Sequence, residues 1–142
     1  MEFSVRIPFV ELLGFELHRF EGGEAELRFD PGPDHLNSFD VVHGGASMTL
    51  LDVVMAHAAR STEPDMGAVT IEMKTSFMRA AKGPLRATGR TLHRTATMVF
   101  TEGHIHDAAG KLCAHATGTF KLMPRLATGA SSAQPLNRIR TD

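Results

Sequence analysis

At 142 residues, 42% of them hydrophobic and 22% charged, the chain has the size and composition of one globular domain. A formal net charge of −1 and the absence of Trp and Tyr argue against nucleic acid, an anionic membrane surface, or aromatic platforms for bases and sugars. The single cysteine, Cys113, cannot close an internal disulfide, which makes a reducing cytoplasm the expected setting.

In chain order, Met1–Arg6 carries an early acid and no apolar run, so no secretory signal is expected there. Residues 4–13 read as a short helix stopped by Gly14. Phe15–Phe20 and Glu24–Asp30 read as two strands joined through Gly22-Gly23, with Ala25, Leu27 and Phe29 alternating against Glu24, Glu26 and Arg28. Residues 31–40 have neither period and form a long loop, a kind of segment that is usually functional.

A helix from about Gly45 to Arg60 is apolar on nearly every side and is expected to be buried. Asp52, His57 and Arg60 interrupt it, so no run approaches the roughly 20 apolar residues that span a bilayer. Four strands follow: 68–78, with Val69, Ile71, Met73, Thr75 and Phe77 on one face, then 85–94, 97–106 and 112–122. Residues 124–142 are small and polar and read as a tail behind a domain of residues 1–123. Consecutive hairpin-linked strands do not suit a parallel sheet, so the expected class is α+β, an antiparallel sheet of five or six strands wrapped around one long helix.

Asp52 stands out in this pattern. A carboxylate in a core helix costs several kcal/mol unless something compensates it. Upstream, His43-Gly44-Gly45 marks a helix start whose backbone N–H groups can bind an oxyanion. An acid and an oxyanion hole are the two halves of an acyl-transfer or hydrolysis site. Yet eight residues of helix separate Gly44 from Asp52, roughly 12 Å at 1.5 Å per residue, too far for one small carbonyl. If the two residues share a site, Gly44 of one subunit faces Asp52 of another, which predicts a homodimer with active sites at the interface.

Asn37-x5-His43-Gly44-Gly45-x6-Asp52, followed by the strand Val69-Thr70-Ile71-Glu72-Met73, resembles the hotdog-fold acyl-CoA thioesterases. The similarity is to the PaaI-type branch of the 4-hydroxybenzoyl-CoA thioesterase family and covers about residues 10–123. It implies a hotdog fold, homodimers or homotetramers, and an acyl-CoA or aryl-CoA substrate with coenzyme A as part of that substrate rather than a cofactor. It also implies that the Gly44 N–H polarises the thioester carbonyl while Asp52 of the partner acts as nucleophile or general base. Asn37 and His43 would position the thioester, the loop or the helix start, and Thr70 would hold the attacking water. Position 46 is Ala where some relatives carry a polar residue, and His57 follows the acid by five positions.

Each of these residues also has a structural reading: a paired acid, a loop-tying His43, an Asn37 that caps its turn, a tight glycine entry at Gly44-Gly45, a plain strand Thr70. Gly45 and Met48 would line the substrate site. The loop 31–42, Met48 and Met55 would shape the acyl group. Arg79 and Lys82, with Arg86 nearby, would either meet the phosphates of coenzyme A or form a solvated basic edge. His104-x-His106, with His93 or His115, lacks any accompanying Cys pair or His-Glu-x-x-His, so no metal site is expected. Cys113 has nothing in sequence to activate it as a nucleophile. A hotdog dehydratase or hydratase and a non-catalytic acyl-CoA-binding module are the competing readings, disfavoured by the motif spacing and by the retained acid.

Overall fold

The structure, a computed structural model, describes residues 1–124. The elements are α1 (Pro8–Leu13), β1 (Glu16–Glu21), β2 (Glu24–Phe29), a 3₁₀ turn (Pro33–His35), α2 (Gly44–Arg60), β3 (Met66–Phe77), β4 (Leu85–Arg94), β5 (Met98–Asp107) and β6 (Leu112–Pro124). The strands form one antiparallel sheet in the order β1-β2-β4-β5-β6-β3, which curls around α2. The expected α+β architecture is present, with six strands. Pro124 still belongs to β6, and the tail read beyond it lies outside the described residues.

Local chemistry sets the boundaries. The first helix starts at Pro8 rather than Ser4, because the proline ring pushes the preceding residue out of the helical region and Ile7 is extended at φ −121°, ψ 99°. Gly14, at φ 78°, ends it with a left-handed cap. Gly22 and Gly23 both have positive φ, as a two-residue hairpin between right-twisted strands requires.

Leu50, Leu51, Val54 and Met55 of α2 are completely buried against the sheet, each worth about 1.5–3 kcal/mol of transfer free energy. A row of small residues crosses the sheet beneath them: Ala25, Gly89, Gly103, Ala116 and Thr75 are successive register partners. A Cβ on Gly89 would stand 2.7 Å from the Val54 carbonyl oxygen, so the helix backbone rests almost directly on β4. Gly103, and Gly118 beside this row, leave room for the Met55 side chain, 3.1 Å and 3.0 Å from where their Cβ atoms would be.

Two expectations are corrected. First, α2 is not covered on every side in one chain: Met48 is exposed, and Thr49, Asp52, Val53 and Ala56 remain half-buried. Second, Val69 and Ile71 do not share a face with Met73, Thr75 and Phe77. The β3–β6 register shifts between Thr70 and Glu72, a bulge at Ile71. Thr70 pairs with Phe120 and Met73 with Gly118, both inward residues of β6, so Thr70 joins the inner face with Met73, Thr75 and Phe77.

Candidate active site

The first half of the site is the start of α2. His43 is its N-cap, and the His43 Nδ1 accepts the Gly45 N–H at 2.8 Å. Gly45 therefore has no amide to offer a substrate, whereas the Gly44 N–H has no partner among the described residues. Asn37 sits beside it. The Asn37 Oδ1 accepts from the N–H groups of Phe39 (2.9 Å) and Val41 (3.3 Å), and this holds a loop in which Asp40 adopts φ 58°. With its oxygen used this way, the Asn37 side-chain NH2 is without a partner among the described residues. Asn37, Gly44, Ser47, Phe77, Arg79 and Cys113 line one pocket of about 410 Å³. The polar groups it presents are chiefly donors: an amide NH2, a helix-terminal N–H, a hydroxyl and a guanidinium with no ion pair among the described residues.

The second half is Asp52. Thr70 Oγ1 donates to Asp52 Oδ1 at 2.6 Å, a length typical of a charge-assisted O–H···O⁻ bond. The second carboxylate oxygen has no partner among the described residues. Burial pushes the Asp52 pKa above its ordinary value, and the Thr70 bond opposes that rise. Asp52, Thr70 and Met48 line a different pocket from that of Gly44 and Asn37. Within one chain the acid and the donors are therefore apart, as the length of α2 requires. β3, which carries Thr70, is one of the two edge strands of the sheet and pairs only with β6 among the described residues.

The thioesterase superfamily model matches residues 39–114, more than half of the chain, from the end of the loop through α2 to the start of β6. The chain belongs to the thioesterase superfamily. It is 30% identical over 89 residues to human acyl-coenzyme A thioesterase 13, covering 61% of this chain and 64% of that one. Among solved structures, a conserved protein of Pseudomonas aeruginosa is 32% identical at a TM-score of 0.79, over 83% of this chain and 95% of that chain. The phenylacetic acid degradation protein PaaI of Thermus thermophilus is 26% identical at a TM-score of 0.74, over 81% of this chain and 98% of that chain. The sheet around α2 is thus the hotdog fold, and this thioesterase superfamily member is a thioester hydrolase.

The remaining candidates in this thioesterase separate. Arg79 lines the pocket with Gly44; Lys82 is exposed and does not, and Arg86 is ion-paired with Glu26 at 3.6 Å. His104 and His115 lie side by side across β5 and β6, ring centroids 4.7 Å apart and planes tilted by 53°, and His115 Nε2 lies 3.5 Å from Glu102. Among the described residues no group of three or more His, Cys, Asp or Glu side chains is placed to hold a metal ion. Cys113 is buried, which pushes its thiol pKa up, away from nucleophilic reactivity. No helix among the described residues is long and apolar enough to cross a membrane.

Three contributors escaped sequence reasoning. Ser47 enters the donor pocket because it lies one helical turn from Gly44, a spacing visible in the sequence. Ile7 and Phe9 reach the pocket of Asp52 only through the tertiary fold, and no local signal marks them.

Proposed function

We propose that this chain hydrolyses acyl-coenzyme A thioesters, aryl groups included, to the free acid and coenzyme A, at sites shared by the two subunits of a homodimer. Asp52 and Thr70 of one subunit face Gly44 and Asn37 of the other. A water hydrogen-bonded to the free oxygen of Asp52 gives up its proton to the carboxylate as its oxygen bonds to the thioester carbon. The negative charge on the carbonyl oxygen is met by the Gly44 N–H, at the positive end of the α2 dipole, and by the Asn37 NH2. The C–S bond then breaks, and the proton held by Asp52 passes to the departing thiolate. A pKa raised toward working pH suits a general base better than a nucleophile, which is why the base role is preferred.

The observation that carries this reading is the division of labour within one chain. A half-buried acid with one oxygen free lies in one pocket, and two unpaired donors lie in another, roughly 12 Å along α2. An antiparallel pairing of two α2 helices closes that gap twice. The half-exposed apolar face around Asp52 and the unpaired edge of β3 are the surfaces such a dimer would use, and two dimers would build a tetramer. The name of the human relative supports coenzyme A as the thiol. Arg79 is the cation we assign to its phosphates, with Lys82 outside the pocket. The reaction needs neither metal nor cofactor, because the thiolate is itself a good leaving group. His43 acts through the loop and helix start.

Release of coenzyme A from a panel of acyl-CoAs tests the reading. Asp52→Asn should lower kcat by about 10²–10⁴ while the protein stays folded and dimeric. Near-normal turnover by that variant would end the proposal.

A further inference from the structure

The pocket beside Asp52 has a composition opposite to that of the donor pocket. It measures about 490 Å³, and its apolar walls are Ile7, Phe9 and Val10 of the N-terminal segment, Met48 and Val53 of α2, and Met73 of β3. Its polar lining is Thr49, Asp52 and Thr70 alone. Thr49 spends its proton on the Gly45 carbonyl at 2.8 Å and Thr70 spends its own on Asp52. The pocket therefore offers no cation and no free donor. Val10 is buried and forms its floor, whereas Phe9 is more than half exposed and stands at its rim.

We propose that this pocket holds the acyl group of the substrate, that the group is apolar and uncharged, and that Phe9 sets the size accepted. The inference rests on the reading of Asp52 as the residue that promotes attack. A carbon under attack comes within about 3–3.5 Å of the attacking oxygen, so one substituent of that carbon must lie against the walls around Asp52. Of the two substituents, the sulfur arm carries amides and phosphates and matches the donor pocket with Arg79 and Asn37. The acyl chain matches the apolar one. A carboxylate on its far end would be stripped of water against Met48, Val53 and Met73, with Asp52 as its only charged neighbour. Ile7, Phe9 and Val10 lie N-terminal to the stretch that matches the superfamily model, residues 39–114.

The experiment compares kcat/KM for butyryl-, hexanoyl-, decanoyl-, benzoyl- and succinyl-coenzyme A in the full-length protein, Phe9→Ala and Phe9→Trp. Succinyl-coenzyme A should fall at least about tenfold below butyryl-coenzyme A. Phe9→Ala should move the preference toward longer chains and Phe9→Trp toward shorter ones, each changing the decanoyl-to-butyryl ratio by about tenfold. In the Asp52→Asn background, hexanoyl-coenzyme A should bind more tightly than coenzyme A, and Phe9→Ala should narrow that difference. An unchanged ranking in both Phe9 variants, or succinyl- and butyryl-coenzyme A used equally, overturns the proposal. So does a Phe9→Ala protein that loses its dimer while its ranking stays fixed, since the pocket would then be a subunit contact. Full activity in Asp52→Asn would instead sink the reading of the acid, so the two failures are distinguishable.

Discussion

Thr70 reaches Asp52, at 2.6 Å, because a bulge at Ile71 turns it onto the inner face of β3. In an unbroken strand Thr70 would point away from α2 if Met73 pointed toward it, since successive side chains alternate. The bulge lets both face the helix.

The bond lowers the Asp52 pKa against the rise caused by burial. A base works deprotonated, so activity is lost as pH falls through that pKa. Thr70→Val removes the lowering contribution and should move the acid limb of kcat/KM to higher pH, with a loss of about tenfold or more in kcat. A pH–rate profile whose acid limb does not move would deny the coupling.

Shared sites predict rescue by mixing. Asp52→Asn removes the base, and Asn37→Asp keeps the oxygen that holds the 37–41 turn while replacing the NH2 donor. In a heterodimer of the two variants one site is doubly damaged and the other intact. Random reassortment of equal amounts should therefore restore about one quarter of wild-type coenzyme A release. If each site lay within one chain, the mixture would be as inactive as its parts.

The fate of a labelled oxygen separates the two roles the motif allows Asp52. In a single turnover in ¹⁸O-water, a general base sends the label into the released acid. A nucleophile forms an anhydride with the acyl group, expelling the thiolate, and water that opens it at the Asp52 carbonyl leaves the label in the Asp52 carboxylate. Mass spectrometry of product and protein should find it in the acid.

Gly89→Ala should destabilise the fold by about 1–3 kcal/mol or more in urea, because its Cβ would meet the Val54 carbonyl 2.7 Å away and backbone yields little. Gly103→Ala should cost less, since its nearest neighbour is the flexible Met55 side chain.

Acid should weaken the protein through His57. This imidazole is buried, edge-on to Phe3 and Phe20, with Nδ1 donating to the Val53 carbonyl at 2.8 Å and Nε2 without a partner among the described residues. Burial first, and the nearby Arg60 charge, hold its pKa down to about 4 against an ordinary 6.5. The unfolded chain thus binds a proton more readily. The stability contributed by the neutral ring is complete above pH 6.5 and is lost as pH falls toward 4, by about 3 kcal/mol. Urea midpoints measured from pH 7 to 4 should fall for wild type and flatten for His57→Phe. Parallel profiles would show that other groups dominate.

Much of this was legible in the chain itself, because period-2 and period-3.6 patterns and the positive-φ glycines act over a few residues. Alternation in β2 and β6, the Gly22-Gly23 hairpin and the apolar run from Gly44 to Arg60 determine the elements. The motif from Asn37 to Asp52 singles out the residues worth testing. The 12 Å argument along α2 needs only helix geometry.

What remained was decided by the packing of segments distant in sequence. The bulge that aims Thr70 depends on β6. The loss of the Gly45 amide to His43 depends on how the loop enters α2. Position 89 is glycine because the backbone of α2 lies on it, Gly103 makes room for the Met55 side chain, and the wall that Ile7 and Phe9 give the pocket of Asp52 exists only once α1 is folded against α2 and β3. Local preference can say that a residue is helical or extended. Which atoms it meets depends on close packing between elements, where a shift of one residue or one methyl group changes the partner.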